Sequence, residues 1–297
     1  MQKRTHYHFM SASGSLPYNM TNDYMFRSVL QRDHETLTGL ICSVLHLPRE
    51  EVAGVEIENP IVLGEAISDK EFQLDIFVSL RSATYINLEM QVINYNNWPM
   101  RSLSYLCRKF DSLHRGEDYS VVHPVYQIGF LDFTLFEDHP EFFGRYQLRN
   151  AADSHLYTDK FNLYVVELNQ TGLATDEDRQ YGIDAWARLF KARTWEEIKM
   201  ITKENPSMSS AAESIYLSNS DEQIRELCRR REDAIAHENF QKKQIQNLTQ
   251  QIQAQSREIQ TLSSENQTLS SENQTLSSEN SRLRKLLGLS EGTPLDN

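Results

Sequence analysis

The chain has 297 residues, enough for one sizeable domain with an extension or for two small domains. Its net charge of −12 argues against a surface that coats nucleic acid indiscriminately, although a locally basic cleft remains compatible with it. The three cysteines lie far apart without metal-ligand spacing, and no apolar run is as long as a membrane span. We therefore expect a soluble, cytoplasmic protein with reduced thiols and no membrane contact.

The first predicted elements are helical. Between residues 21 and 47, apolar side chains recur every three or four positions, with a polar interruption in the middle. This pattern predicts two helices or one kinked helix, with Thr21 or Asn22 as the N-cap and Pro48 as the stop. Asp23 falls in the first turn, where a carboxylate complements the helix dipole, and we favour this role over a place in a functional site.

A short strand is predicted over residues 54 to 64, where Pro60 limits it to an edge or a bulge. The stretch FQLDIFVSLRSATYINLEMQV, residues 72 to 92, follows. It contains two runs with a period of two separated by a short polar break, which is typical of a β-hairpin with one buried face. The apolar face would consist of Phe72, Leu74, Ile76, Val78, Leu80, Ile86, Leu88, Met90 and Val92.

The other face of this hairpin is polar and includes Gln73, Asp75, Asn87, Glu89 and Gln91. In the register that pairs Leu80 with Thr84, Asp75 lies directly opposite Glu89. Two facing carboxylates destabilise a strand pair unless a cation lies between them, and a divalent metal would reverse the sign. On spacing alone, an exposed polar face of a half-solvated hairpin explains the same residues and is the favoured interpretation.

A helix is predicted from about residue 98 to 113. Its buried stripe is expected to consist of Leu103, Leu106, Phe110 and Leu113. Its other side presents Arg101, Tyr105 and Arg108 along one line. Because the helix follows the second hairpin strand directly, this line can face Glu89, which makes the three residues candidates for substrate binding. The alternative is an ordinary solvated helix, and for Arg108 we favour that alternative.

The rest of the compact domain alternates strands and helices. Strands are predicted at 122–133, 142–150 and 161–168, and helices at 178–191 and 195–203. Strands that follow a helical crossover suggest a mixed sheet with helices packed on it, an α/β or α+β core. We place the end of the compact domain at Asn205.

A heptad repeat marks the C-terminal part of the chain. Position a is occupied by Ile245, Ile252, Ile259, Asn266, Asn273, Asn280 and Leu287, and position d by Leu248, Gln255, Leu262, Leu269, Leu276 and Leu283. This pattern predicts a parallel two-stranded coiled coil, and hence a homodimer through residues 245–288; the alternative is a long, partly disordered helix. The predicted order is a flexible tail (1–20), a compact domain (21–205), a helical connector (206–244), the coiled coil (245–288) and a disordered tail (289–297).

Asp75, Glu89 and Gln91 form the candidate catalytic site. Two carboxylates and a backbone carbonyl, for which we select that of Met90, suit a hard ion such as Mg²⁺, with Mn²⁺ as a substitute. Such an ion would lower the pKa of a bound water and stabilise charge on a phosphodiester. Gln91 would orient that water, because an amide both donates and accepts hydrogen bonds.

Several pieces of the chain together resemble a known family: TNDYMFRSVL, LDIFVSL, INLEMQ, RSLSYL, GEDYSVVHPVYQIGFLDF and YVVEL. They are similar to the PD-(D/E)XK nucleases often labelled Rpn, the recombination-promoting nucleases and transposase-like proteins, from about residue 21 to 205. The resemblance implies a restriction-endonuclease-like core, magnesium-dependent DNA cleavage, and Asp75 and Glu89 as metal ligands. It also implies that Gln91 stands where the wider superfamily has Lys. Since Gln91 is neutral, the transition state must be stabilised by the metal or by a residue such as Arg101.

The sequence thus predicts a dimeric, metal-dependent DNA endonuclease that promotes recombination or transposition-like rearrangement. The alternative is a degenerate nuclease fold that binds DNA or a protein partner and acts as a scaffold through its coiled coil. The acidic net charge and the neutral Gln91 favour this alternative. The sequence leaves open whether Asp23, Lys70 or Glu167 joins the site.

Overall fold

The structure, a computed structural model, describes residues 7–52, 54–57, 76–80 (backbone only), 84–110 and 118–288. Its strands are β1 (Val55–Ile57), β2 (Ile76–Leu80), β3 (Thr84–Gln91), β4 (Val125–Leu131), β5 (Phe143–Gln147) and β6 (Phe161–Glu167). Its α-helices are α1 (Asp23–Arg32), α2 (His34–Leu45), α3 (Trp98–Phe110), α4 (Asp176–Gln180), α5 (Ile183–Lys191), α6 (Trp195–Glu204), α7 (Ser209–Ser220) and α8 (Glu222–Leu286).

Within the described residues, the strands form a mixed sheet in the order β1-β2-β3-β4-β6-β5. The pairs β3–β4 and β4–β6 are parallel, and the others are antiparallel. The predicted hairpin register is confirmed: Leu80 pairs with Thr84, and Ile76 pairs with Leu88. Asp75, which precedes Ile76 in the chain, lies outside the described residues. The sheet is therefore mixed, as the sequence predicts.

Strand β3 is central and is covered on both faces. Ile86 and Leu88 belong to the main core, and the polar residues between and after them, Asn87, Glu89 and Gln91, are also buried. The interpretation of an exposed polar face is therefore wrong for Glu89. The reason is that β3 pairs with a parallel neighbour, β4, and such strands are usually covered by helices on both sides.

Helices α1 and α2 begin at polar caps. Asn22, one of the two predicted caps, accepts hydrogen bonds from the backbone N–H groups of Tyr24 and Met25. Asp33 ends α1 and caps α2 by accepting from the N–H groups of Glu35 and Thr36. The region 21 to 47 therefore forms two helices rather than one kinked helix, and both helices contribute residues to the main core.

Helix α3 covers the other face of the sheet, but not with the predicted stripe. Its buried residues are Trp98, Ser102 and Leu106, whereas Leu103 is 38% exposed. The buried line follows an i, i+4 spacing from Trp98, whose ring lies directly over Gly129 of β4. The prediction of burial is therefore confirmed for Leu106 and wrong for Leu103, which lies one position after Ser102 and outside the line that begins at Trp98. The predicted position Leu113 lies outside the described residues.

Two predicted boundaries differ from the structure. The helix predicted over 178–191 is divided into α4 and α5 at Gly182, which has a φ of +75° that favours glycine. The main core also includes residues that follow Asn205, the predicted end of the compact domain. Ala212 and Ile215 of α7 and Cys228 of α8 are buried in it. The chain divides into a compact unit Met1–Ile235 and a second unit Ala236–Asn297.

Helix α8 has 65 residues and is about 100 Å long. The predicted long C-terminal helix is therefore confirmed. Its heptad apolar side chains are 53 to 66% exposed within the chain: Ile245, Leu248, Ile252, Ile259, Leu262, Leu269, Leu276 and Leu283. Pairing of this stripe in a coiled coil remains a prediction. In the described part of the chain, the helices include none that combines the length and the apolar character needed to cross a membrane.

Candidate functional site

Glu89 lies near the end of β3, on the face that α3 covers, and is 4% exposed. Its Oε1 accepts from Nε and Nη2 of Arg101 on α3, at 2.7 and 2.6 Å. Burying a carboxylate costs several kcal/mol unless a cation and hydrogen bonds compensate it. The predicted contact between the helix and the strand therefore exists as a buried ion pair.

The three candidate residues of α3 form a continuous row. The guanidinium of Arg101 lies 5.3 Å from the centre of the Tyr105 ring, and that of Arg108 lies 5.8 Å from the same centre. The row begins at Glu89 and ends at Arg108, which is exposed. It provides a path of positive and aromatic groups from the buried carboxylate to the protein surface.

Gln127 of β4 also contacts Glu89, and sequence reasoning missed it. Its Nε2 lies 3.4 Å from Oε2 of Glu89, and its Oε1 accepts from Nδ2 of Asn87 at 2.7 Å. Both amides are buried. The contact depends on the parallel register that pairs Asn87 with Gln127, which local patterns do not reveal. The one available signal is a polar residue within the otherwise apolar run VYQIGFL.

Gln91 is buried at the end of β3. Its Nε2 donates to the carbonyl of Ile93 at 2.9 Å, whereas its Oε1 has no hydrogen-bond partner among the described residues. Met90 directs its side chain into the main core on the opposite face of β3. The part of the site that the structure describes thus offers carboxylate and amide oxygens, the donor type that Mg²⁺ and Mn²⁺ prefer.

Glu167 occupies the corresponding end of β6, aligned with Gln91 through Leu131. It is 1% exposed; its Oε1 accepts from the N–H of Leu135 at 3.1 Å, and its Oε2 has no partner in the described part of the chain. Burial raises the pKa of this carboxyl, and the nearby Glu141 adds to the effect. Its hydrogen bond holds the loop after β4 rather than Glu89 or Gln91.

Asp23 lies elsewhere, at the start of α1, a helix whose buried residues belong to the main core. Its Oδ2 accepts from Nε of Arg231 at 2.7 Å, which ties α1 to the first part of α8. Burial raises the pKa of Asp23, and the charge of Arg231 opposes that rise. Lys70, like Asp75, lies outside the described residues.

Across the described ranges, no cluster of three or more His, Cys, Asp or Glu side chains could hold a metal ion. Glu89 is the carboxylate that β3 contributes to the candidate site, and Asp75 is outside those ranges. The assignment of Asp75, Glu89 and Met90 as metal ligands therefore stays a prediction.

The fold and the site define a mixed α/β domain with a buried acidic centre beside an arginine-bearing helix. A family model described as PD-(D/E)XK nuclease family transposase matches residues 20–245, so the chain belongs to this family. Nucleases of the PD-(D/E)XK type generally use divalent metal ions. The match extends past Asn205 through α7 and into α8, in agreement with the packing of those helices. No curated protein and no solved structure matches the chain.

Proposed function

We propose that the chain is a metal-dependent DNA endonuclease whose ion is held by Asp75 and Glu89. The observation that carries the proposal is the buried, ion-paired Glu89 on a central strand of a PD-(D/E)XK chain. The sequence pattern predicts that the register of Ile76 and Leu88 continues by one pair, which would bring Asp75 opposite Glu89. Two carboxylates in that arrangement require a cation between them.

The donor chemistry fits Mg²⁺, with Mn²⁺ as a substitute, since the described oxygens at this position are hard ligands. Asp75, Glu89 and the Met90 carbonyl would hold the ion. When bound, the ion supplies a water of lowered pKa and stabilises charge on the phosphodiester. The Oε1 of Gln91, which has no hydrogen-bond partner among the described residues, would accept a hydrogen bond from that water and orient it for attack.

Arg101 has two tasks in this proposal. It keeps Glu89 charged in a buried position, and it supplies the positive charge that the neutral Gln91 lacks at the transition state. Tyr105 and Arg108 continue the row towards solvent and contact the DNA backbone. Phosphate contacts of this kind fix the position of the strand without reading its sequence.

We further propose that residues 245–288 pair with a second copy in a parallel coiled coil. The exposed heptad side chains of α8 support this pairing, because an apolar stripe of this regularity is normally covered. A dimer brings two sites to one DNA molecule, which suits cutting both strands. The expected role is recombination or transposition-like rearrangement of DNA in the cytoplasm.

A non-catalytic scaffold is the second candidate function. It is favoured by the ion pair itself, since Arg101 already neutralises Glu89, and by the neutral Gln91. In that case the domain binds DNA or a protein without cutting, and α8 provides the assembly surface.

Cleavage of supercoiled plasmid distinguishes the two functions. The endonuclease proposal predicts Mg²⁺-dependent nicking by the wild-type protein and its loss in both Asp75→Asn and Glu89→Gln. The control is Glu56→Gln on β1, an exposed glutamate of the same sheet, which should cut normally. No nicking by the wild-type protein with any divalent ion would support the scaffold instead, whereas unchanged nicking by Glu89→Gln would refute the assignment of Glu89 to the site.

A further inference from the structure

The side-chain amides of Asn87 and Gln127 form a hydrogen-bond chain that ends on the carboxylate of Glu89. Asn87 and Gln127 are paired in register across the parallel strands β3 and β4, so their side chains lie on the same face. Nδ2 of Asn87 donates to Oε1 of Gln127 at 2.7 Å, and Nε2 of Gln127 donates to Oε2 of Glu89 at 3.4 Å. All three side chains are buried.

The direction of this chain is fixed by its end point. A carboxylate only accepts hydrogen bonds, so the Gln127 amide must turn its NH₂ group towards Glu89 and its carbonyl towards Asn87. The opposite orientation would place two acceptors against each other in a buried site. Asn87 therefore acts on Glu89 through Gln127, by holding the amide in the donating orientation.

The two carboxylate oxygens of Glu89 contact side chains from two different secondary-structure elements. Arg101 of α3 binds Oε1, and Gln127 of β4 approaches Oε2. A rotation of the carboxylate about its last bond would disturb both contacts. The contact to Oε2 is long for a hydrogen bond, and a carboxylate oxygen can accept in two directions.

We propose that Asn87 and Gln127 are positioning residues that hold Oε2 of Glu89 in the orientation required for binding a divalent ion. The inference rests on the proposed function, because it assumes that Glu89 is a metal ligand. Outer-shell hydrogen bonds of this kind orient ligands, and their loss typically weakens metal binding by about 10- to 100-fold.

The chain offers a matched control for a purely structural role. Gln147 of β5 donates to Asn162 of β6 at 2.9 Å, and Asn162 donates to the carbonyl of Asp159 at 2.7 Å. This is also an amide pair in register between neighbouring strands. Its hydrogen bonds, however, end on a backbone carbonyl rather than on a carboxylate. Gln147→Leu breaks the same kind of bond, together with the hydrogen bond that Arg149 donates to Gln147, without touching Glu89.

The test is a calorimetric titration of the full chain with Mn²⁺. Gln127→Leu should bind Mn²⁺ about 10-fold more weakly than the wild-type protein. Gln147→Leu should bind it with the wild-type dissociation constant. Thermal melting of both variants verifies that they are folded, and a structural role would affect melting alone.

Variants of Asn87 test whether this residue acts on Glu89 through Gln127, as the order of the hydrogen-bond chain requires. Asn87→Leu should weaken Mn²⁺ binding, and this effect should vanish in the background of Gln127→Leu, because the first amide acts only through the second. Asn87→Asp should weaken binding more than Asn87→Leu. The new carboxylate would compete for the NH₂ group of Gln127 and turn its carbonyl towards Glu89. These variants also carry the test if Gln127→Leu fails to fold.

The outcomes separate this inference from the proposed function. If the wild-type protein binds Mn²⁺, Glu89→Gln abolishes binding, and Gln127→Leu and Asn87→Asp bind normally, the positioning role is wrong and the metal site stands. Additive effects of Asn87→Leu and Gln127→Leu would also overturn it. If the wild-type protein binds no Mn²⁺, or Glu89→Gln binds it unchanged, the proposed metal site fails and the positioning role fails with it.

Discussion

Arg101 on helix α3 donates from Nε and Nη2 to the same oxygen of Glu89 on strand β3, at 2.7 and 2.6 Å. The contact joins a helix to the sheet that it covers, and Glu89 is buried while Arg101 is half-buried. It fixes the carboxylate at the centre of the proposed site and places the row of Tyr105 and Arg108 beside it.

The first prediction concerns the stability of this ion pair. Arg101→Met should lower the free energy of unfolding by about 3 kcal/mol, because it leaves a buried carboxylate without its cation. Urea denaturation measures the change. The control is Arg179→Met, since the pair of Arg179 with Asp176 is exposed and should contribute less than about 1 kcal/mol. Equal losses in the free energy of unfolding would show that the buried pair stabilises the protein no more than the exposed pair does.

The second prediction concerns the anchor of α3. A Cβ atom added at Gly129 would lie 2.0 Å from the ring of Trp98, so Gly129→Ala must displace the first turn of the helix or the ring. We expect a loss of about 2 kcal/mol in the free energy of unfolding, as for other overpacked cores. At Gly172 an added Cβ meets nothing within 4 Å, and Gly172→Ala serves as the control.

Exchange of Trp98 completes this test. If the clash is the cause, Trp98→Leu should partly restore stability in the Gly129→Ala background, although it is destabilising alone through the cavity that it leaves. A double variant that is less stable than either single variant would indicate a different origin.

The third prediction is a pH dependence caused by Glu167. Burial raises the pKa of this carboxyl above its ordinary value, so the folded state retains the proton to higher pH than the unfolded state. Its stabilising contribution is therefore present below about pH 4.5 and is lost as the pH rises through the folded-state value. Glu167→Gln, which does not titrate, should gain stability relative to the wild-type protein over this range.

Urea denaturation at about pH 4.5 and about pH 8 measures this difference. We expect the difference between Glu167→Gln and the wild-type protein to shift in favour of the variant at the higher pH. A difference that is the same at both values would show that Glu167 titrates equally in the folded and unfolded states.

The fourth prediction concerns assembly. Leu269→Lys with Leu276→Lys should convert a dimer of the full chain into a monomer, since charged side chains at position d oppose burial of the apolar seam. Sedimentation equilibrium measures the mass. The control is Gln274→Lys, which places the same charge one residue after position a on the outer surface of the helix. A wild-type protein that is monomeric at all concentrations would refute the coiled coil.

The hairpin and the long helix are predictable because their signals are local. The alternation from Ile76 to Gln91 specifies the register that the structure shows, and the scarcity of helix breakers after Ser207 predicts α8. The exposure of Leu103 and the burial of Trp98 are not predictable in this way. They depend on Gly129, which comes from a strand 31 positions after Trp98 and leaves space for the indole ring.

The site is predictable only where its residues are close in sequence. Glu89, Gln91 and Arg101 follow from the alternation of one strand and the spacing of the helix after it. Gln127 comes from β4, and its contact with Glu89 arises from parallel pairing across a helical crossover. Such pairing has no short-range signature, because the two strands are separated by a whole helix.

A calorimetric titration of the full chain with Mn²⁺ determines whether Asp75 and Glu89 together hold one divalent ion. We expect one bound ion per chain in the wild-type protein and loss of that ion in both Asp75→Asn and Glu89→Gln. Binding that persists unchanged in either variant, or no binding by the wild-type protein, would contradict it.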